Sequence, residues 1–144
     1  MNSFERIKNE LGEKARSWDE KNPRNLFVDV AAGDIPSACE RLFNAVRLRF
    51  IIVSGTDTPR GFELLYHFSD DGHGTVITLR TLLSDRQNPQ IASITPIITG
   101  ASWIEREIHE LLGVKFTGHP SLKHLLLAED WPEGKYPLRN DHEK

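Results

Sequence analysis

The densest cluster of reactive side chains is E-R-E-I-H-E-L-L-G-V-K-F-T-G-H-P, residues 105–120. It sets Glu105, Arg106, Glu107, His109 and Glu110 within six positions, then turns at Gly113 and again at Gly118-His119-Pro120. Glu105 and His109 are four apart, so on a helix they share one face, at metal-ligand spacing. His119, His124, Glu129, Asp130 or His142 could complete such a site. The motif is not HExxH, because Gly113 stands where the second histidine would be. The bland alternative is a solvated helix face with an Arg106–Glu110 pair, worth about 0.3 kcal/mol. Other chemistries are weaker still. No GxSxG elbow, P-loop or Rossmann glycine pattern occurs. Cys39 falls inside a predicted helix, where it reads as a small buried apolar residue. From the residues alone, a docking surface fits better than an active site.

The elements that would hold this stretch follow from periodicity. Phe4, Ile7, Leu11, Ala15 and Trp18 form one helical stripe over 4–18, with Asn2 and Glu5 as a capping box, and Lys21-Asn22-Pro23 ends it. Residues 25–30 read as a short strand. Asp34 is a good N-cap for a second helix that tolerates Pro36 and buries Ile35, Ala38, Leu42 and Val46. Three strands at 48–55, 61–69 and 75–83 alternate apolar and polar residues between turn signals, which predicts an antiparallel meander. Ser102-Trp103-Ile104-Glu105 has the form of a capping box opening a helix of about ten residues, closed by Gly113 at C′. The expected fold is α+β: an antiparallel sheet of about four strands, helices on one face, the other face wetter, and an extended C-terminal tail. Residues 1–113 make the domain and 114–144 a tail of the same unit, in which only Ser121–Leu127 could form a helical turn or two. The tail's Trp131, Tyr136 and leucines mark it as a segment that packs on its own domain or on a partner.

Composition narrows the class. The chain has 144 residues, a net charge of −3 and a pI near 6.1, with no basic stripe that would suit nucleic acid. One cysteine excludes an intramolecular disulfide and an iron–sulfur cluster ligated by this chain's thiolates. The N-terminus lacks the apolar core of a secretory signal, and no apolar run approaches the ~20 residues that span a bilayer. Any membrane association would run through another chain.

The run W-I-E-R-E-I-H-E-L-L-G-V-K-F-T-G-H-P-S-L-K-H-L-L-L-A-E-D-W, 103–131, followed by P-L-R-N-D, 137–141, resembles the 30-kDa subunit family of respiratory complex I. The shared positions are Trp103, Glu105, Arg106, Glu107, Gly113, Phe116, Gly118, His119, Pro120, Leu122, Asp130, Trp131, Pro137, Leu138, Arg139 and Asp141. Ser93-Ile94-Thr95 also suits the family. Glu110, Ala128 and Asn140 stand where the family usually has Asp, Pro and Lys. The form W-P-E-G-K-Y-P-L-R, 131–139, is similar to the branch found in energy-converting membrane-bound [NiFe] hydrogenases, with the NADH:quinone dehydrogenase type as the alternative branch. The resemblance implies a non-catalytic subunit of the hydrophilic arm, on the cytoplasmic face of the membrane, binding no cofactor itself. It would dock on the large subunit ([NiFe] or quinone-site type) and the small iron–sulfur subunit, which carry the iron–sulfur clusters and any [NiFe] centre. Glu105, Arg106 and Glu107 would then brace the tail or face a partner. His119 would hold a turn, and Trp131, Tyr136, Leu138 and Arg139 would be the partner anchors. A small metal-dependent enzyme using Glu105, His109 and His119 is the alternative of another class.

Overall fold

The computed structural model describes residues 3–120, 122 and 136–139. Helix α1 (Ser3–Leu11) leads into strands β1 (Ala15–Asn22) and β2 (Asn25–Val30). Helix α2 (Ile35–Glu40) continues through one π-type turn, Arg41–Ala45. Strands β3 (Arg49–Thr58), β4 (Gly61–Asp70) and β5 (Thr75–Leu83) follow, then β6 (Gln90–Ala92), α3 (Ser102–Leu112) and β7 (Lys115–Thr117). Five strands form one sheet in the order β1-β2-β5-β4-β3, and β6 and β7 form a small parallel pair.

The topology follows from one crossover. The segment containing α2 carries the chain from β2 to the far edge of the sheet, and the meander β3-β4-β5 returns it beside β2. There β5 and β2 pair in parallel, Leu26 opposite Ile77 and Val28 opposite Leu79, while the other three pairings are antiparallel. Alternation sorts the two faces. Phe62, Leu64, Tyr66 and Phe68 of β4 are all fully buried beneath the helices, whereas Glu63, Leu65 and His67 point to the uncovered side and are only partly buried. Each such buried side chain contributes roughly 2 kcal/mol, well above any surface ion pair, so the core decides the fold. Ile7 and Leu11 of α1, Ile35, Ala38, Cys39 and Leu42 of the α2 region, and Ile108 and Leu112 of α3 complete it. Gly55 lets α3 approach β3 closely. A Cβ there would lie 2.9 Å from Leu112 Cδ1 and 3.3 Å from Ile108 Cγ2.

The meander, the strand at 25–30 and the four buried positions of the second helix match expectation. The first helix does not. It stops at Leu11, Gly12 turns the chain in the left-handed region (φ 54°), and residues 15–22 become β1. Trp18 therefore sits opposite Val28 in the sheet, with Lys8 Nζ 5.5 Å from its ring. An apolar spacing of four and three is ambiguous over so short a run, and an unpaired β2 edge wins over helix propensity. Lys21-Asn22-Pro23 is accordingly part of a hairpin turn rather than a helix stop. The sheet has five strands, one more than expected. Asp34 precedes α2 without a side-chain capping bond, and Pro36 lies in the first turn. The expected Asn2 cap and the helical turns of 121–127 fall outside the described residues, apart from Leu122, which packs against the core.

Burial, with the nearby Glu105 carboxylate, pushes the Cys39 thiol up in pKa, so it stays a protonated, unreactive core residue. The Tyr66 hydroxyl is buried with no hydrogen-bond partner among the described residues. A buried hydroxyl without a partner costs stability. Tyr66→Phe should therefore raise stability by about 1 kcal/mol in urea unfolding. A loss of stability would show that the hydroxyl is satisfied.

Candidate functional site

Helix α3 is amphipathic and is followed by Gly113 in the left-handed region (φ 79°). Its first turn holds a surprise. Glu105 is fully buried and points into the segment that precedes the helix. Its carboxylate accepts from Ser93 Oγ (2.5 Å), Thr95 Oγ1 (2.7 Å) and the Ile94 N–H (2.9 Å). The Thr95 N–H in turn donates to Ser93 Oγ at 3.0 Å. Three donors around one carboxylate offset much of the penalty of removing a charge from water. The expected capping box is therefore wrong in its bonds. Ala101 is the N-cap, with no side-chain capping bond, and Glu105 reaches the 93–95 turn instead.

The imidazoles also brace backbone. His109 Nδ1–H donates to Val114 O at 2.9 Å, across the helix end. His119 Nε2–H donates to Ser102 O at 3.2 Å, with Ser102 Oγ 3.3 Å away, which ties the turn after β7 to the start of α3. Gly118 supplies that turn with φ 78°. Phe116 is buried on β7, opposite Ile91 of β6. Glu105, His109 and His119 thus face three different backbone segments. Among the described residues no three His, Cys, Asp or Glu side chains are grouped to hold a metal ion. His124, Glu129, Asp130 and His142 lie outside the described residues. Glu110, expected on a solvated face, is 3% exposed.

The far end of α3 receives residues 136–139. The Leu138 N–H donates to Leu111 O (2.9 Å), and Arg139 Nε donates to Leu112 O (2.6 Å). A cation on the last carbonyls of a helix satisfies groups that the helix cannot. The Arg139 guanidinium also lies 4.5 Å from the Tyr136 ring centroid and 4.9 Å from that of Phe62. Arg86 stands 4.9 Å from the same Phe62 ring while gripping the buried carboxylate of Asp57 at 2.6 and 3.0 Å. Gly113 makes this docking possible, because a Cβ there would lie 2.5 Å from Tyr136 Cε2 and 2.7 Å from the Arg139 guanidinium. An open groove of about 620 Å³ runs beside it, lined by Pro89, His109, Lys115, Leu122 and Tyr136 among others.

Glu105, Arg106 and Glu107 are adjacent in the chain but diverge in space. Glu105 turns inward, Arg106 stacks 5.6 Å from the Trp103 centroid, and Glu107 is partly buried. Trp103 is 66% exposed and Leu138 56%, both presented by braced elements. Pro120 is exposed and Pro137 partly buried. Tyr136 and Arg139, expected to anchor a partner, contact this chain's own α3 end. Asp130 and Trp131 lie outside the described residues. Phe62, Asp57 and Arg86 carry no motif in the sequence: Phe62 reads only as a strand position, and Asp57 and Arg86 fall outside the expected strands.

The family model for the respiratory-chain NADH dehydrogenase 30 Kd subunit matches residues 28–144. The chain belongs to that family. The C subunit of the F(420)H(2) dehydrogenase of Methanosarcina mazei is 39% identical over 126 residues, covering 85% of this chain and 78% of that protein. The C subunit of the NADH-quinone oxidoreductase of Ruegeria pomeroyi is 34% identical, covering 87% of this chain but 63% of its own length. The chain spans only 16% of the fused C/D subunit of Bacteroides thetaiotaomicron, to which it is 37% identical. Among solved structures, a chain of the membrane-bound sulfane sulfur reductase, an archaeal respiratory membrane complex, superposes with a TM-score of 0.80 at 25% identity, covering 96% of this chain and 84% of the other. Of the positions that carry the family resemblance, Glu105, Gly113, Gly118, His119, Leu138 and Arg139 belong to the two braces at the ends of α3.

Glu105→Ala leaves three donors without their acceptor and should cost about 3 kcal/mol, with Glu105→Gln costing about half that. Urea midpoints at constant slope measure both. A cost below about 1 kcal/mol for the alanine variant would remove Glu105 as a brace. Gly113→Ala should cost at least about 1 kcal/mol, from the left-handed φ and the contact with Tyr136, and a neutral result would argue against the docked 136–139 turn.

Proposed function

We propose that this chain is a non-catalytic structural subunit of the hydrophilic arm of a complex I-like, membrane-associated oxidoreductase. It docks on the large subunit and the small iron–sulfur subunit at the cytoplasmic face and binds no cofactor itself. The observation that carries this reading is how the family motif is used. Of the shared positions, Glu105, His119 and Arg139 hold backbone segments in place, while Trp103 and Leu138 stay exposed on those braced elements. A tryptophan presented on a fixed element is a frequent interface anchor, and Leu138 adds apolar area beside it for a partner to cover. Among the described residues no helix is long and apolar enough to cross a membrane; in this reading, association with one runs through partners.

Two branches remain for the complex. The W-P-E-G-K-Y-P-L-R form of 131–139 favours the energy-converting [NiFe] hydrogenase type, and the likeness to a chain of another membrane-bound respiratory complex is compatible with it. The similarity to subunits of F(420)H(2) and NADH-quinone enzymes favours a dehydrogenase.

The test is affinity purification of the tagged chain from gently solubilised native membranes, with partners identified by mass spectrometry. A [NiFe]-type large subunit is the expected partner; a quinone-site large subunit would select the dehydrogenase branch. Trp103→Ala combined with Leu138→Ala should lower recovery of the large subunit by about tenfold or more at an unchanged Tm. Purification of the chain with no such subunit would overturn the proposal.

A further inference from the structure

The two edges of the main sheet are built differently. Edge strand β1 carries Arg16, Asp19, Glu20 and Lys21, is irregular at two places in its pairing, and is laced by ion pairs from Lys8 to Glu20 (2.9 Å) and from Lys21 to Asp19 (2.7 Å). Charges and bulges of this kind keep an edge from pairing with other strands. Edge strand β3 has ten residues, and its stretch from Phe50 to Thr56, F-I-I-V-S-G-T, has no charge. It pairs with β4 alone in the sheet, and among the described residues no other backbone hydrogen bond reaches Phe50–Thr56. The single irregularity, between Phe50 and Ile52, leaves two consecutive isoleucines facing solvent, Ile51 and Ile52, each 42% exposed.

We infer that the outer edge of β3 is an interface at which an extended, uncharged segment of a neighbouring subunit adds a further strand. This rests on the reading of the chain as a subunit of a larger complex. The chemistry selects the occupant. Outward N–H and C=O groups along a free edge bond to water, but an added strand takes up the whole row in register while covering the isoleucines, which call for apolar residues on the incoming segment. A charged segment would lie against the uncharged run with nothing to pair with. A second copy of this chain fits less well. Parallel pairing of two β3 strands sets Arg49 beside Arg49. Antiparallel pairing brings Arg49 to the Asp57 end of the other copy, where Arg86 already holds the carboxylate, and Arg49 is itself bonded to Asp71.

Hydrogen exchange of the Phe50–Thr56 amides tests this, measured in the isolated chain and in the complex purified through it. Exchange should slow by at least about tenfold in the complex. Ile51→Lys with Ile52→Lys should fold with unchanged circular dichroism, yet lose that slowing and recover less of the complex. Rapid exchange in an intact complex would overturn the inference while leaving the subunit reading standing. So would slowing in the isolated chain that grows with its concentration, since that marks a second copy as the occupant. A chain that enters no complex defeats the subunit reading, and this inference with it.

Discussion

A carboxylate with no exposed surface ties two segments of this molecule together. Glu105 sits in the first turn of α3 and collects two hydroxyls and one backbone N–H from residues 93–95. Without those donors, a charge taken out of water would be costly enough to expel the side chain or neutralise it. With them, the start of α3 is fixed against the turn that leaves β6. The same carboxylate helps hold the Cys39 thiol and the Tyr66 phenol in their neutral forms, with burial the larger cause. Burial does most of this, and Glu105 adds to it.

The opposite end of α3 is fixed by a cation. Arg139 reaches the last carbonyls of the helix, and Gly113 leaves room for it and for Tyr136. Charge and helix polarity agree there, since a guanidinium at a C-terminus meets the negative end of the helix dipole. Two histidines add one tie at each end of the helix, each spending a ring N–H on a carbonyl. A cluster that looks like acid–base machinery in one dimension is thus a set of clamps in three. Apart from the short His109–Val114 tie, each clamp joins α3 to a segment ten or more residues away, so α3 is the hub through which β6, β7 and the 136–139 turn are positioned.

Much of this was legible in the sequence, and the failures share a cause. The meander and the α2 stripe were readable because their periods run long enough to be unambiguous. The α1–β1 boundary was not, because Leu11, Ala15 and Trp18 satisfy a helical spacing whether or not the backbone stays helical, and the free β2 edge decides. Glu105 was misassigned by the strength of a local pattern. Ser102 and Glu105 have capping-box spacing, yet Ser93 and Thr95 offer better donors from twelve and ten residues away. No periodicity reports a contact at that separation. Ser93-Ile94-Thr95 did stand out through the family resemblance, but nothing in the residues linked that triplet to Glu105.

The uneven treatment of the sheet edges bears on how such a subunit avoids aggregation before it assembles. A ten-residue edge strand with a seven-residue uncharged stretch is a hazard for a free chain. Its ends are nevertheless restrained, by the Arg49–Asp71 pair at one end and by Asp57 locked to Arg86 at the other. Asp71 is held down to about pKa 2 by Arg49 and Ser69, so the Arg49 end stays ionised at any ordinary pH. An incoming strand then meets a run whose length is bounded by fixed charges. That bound limits the registers it can adopt, which favours a partner cut to fit over indiscriminate pairing.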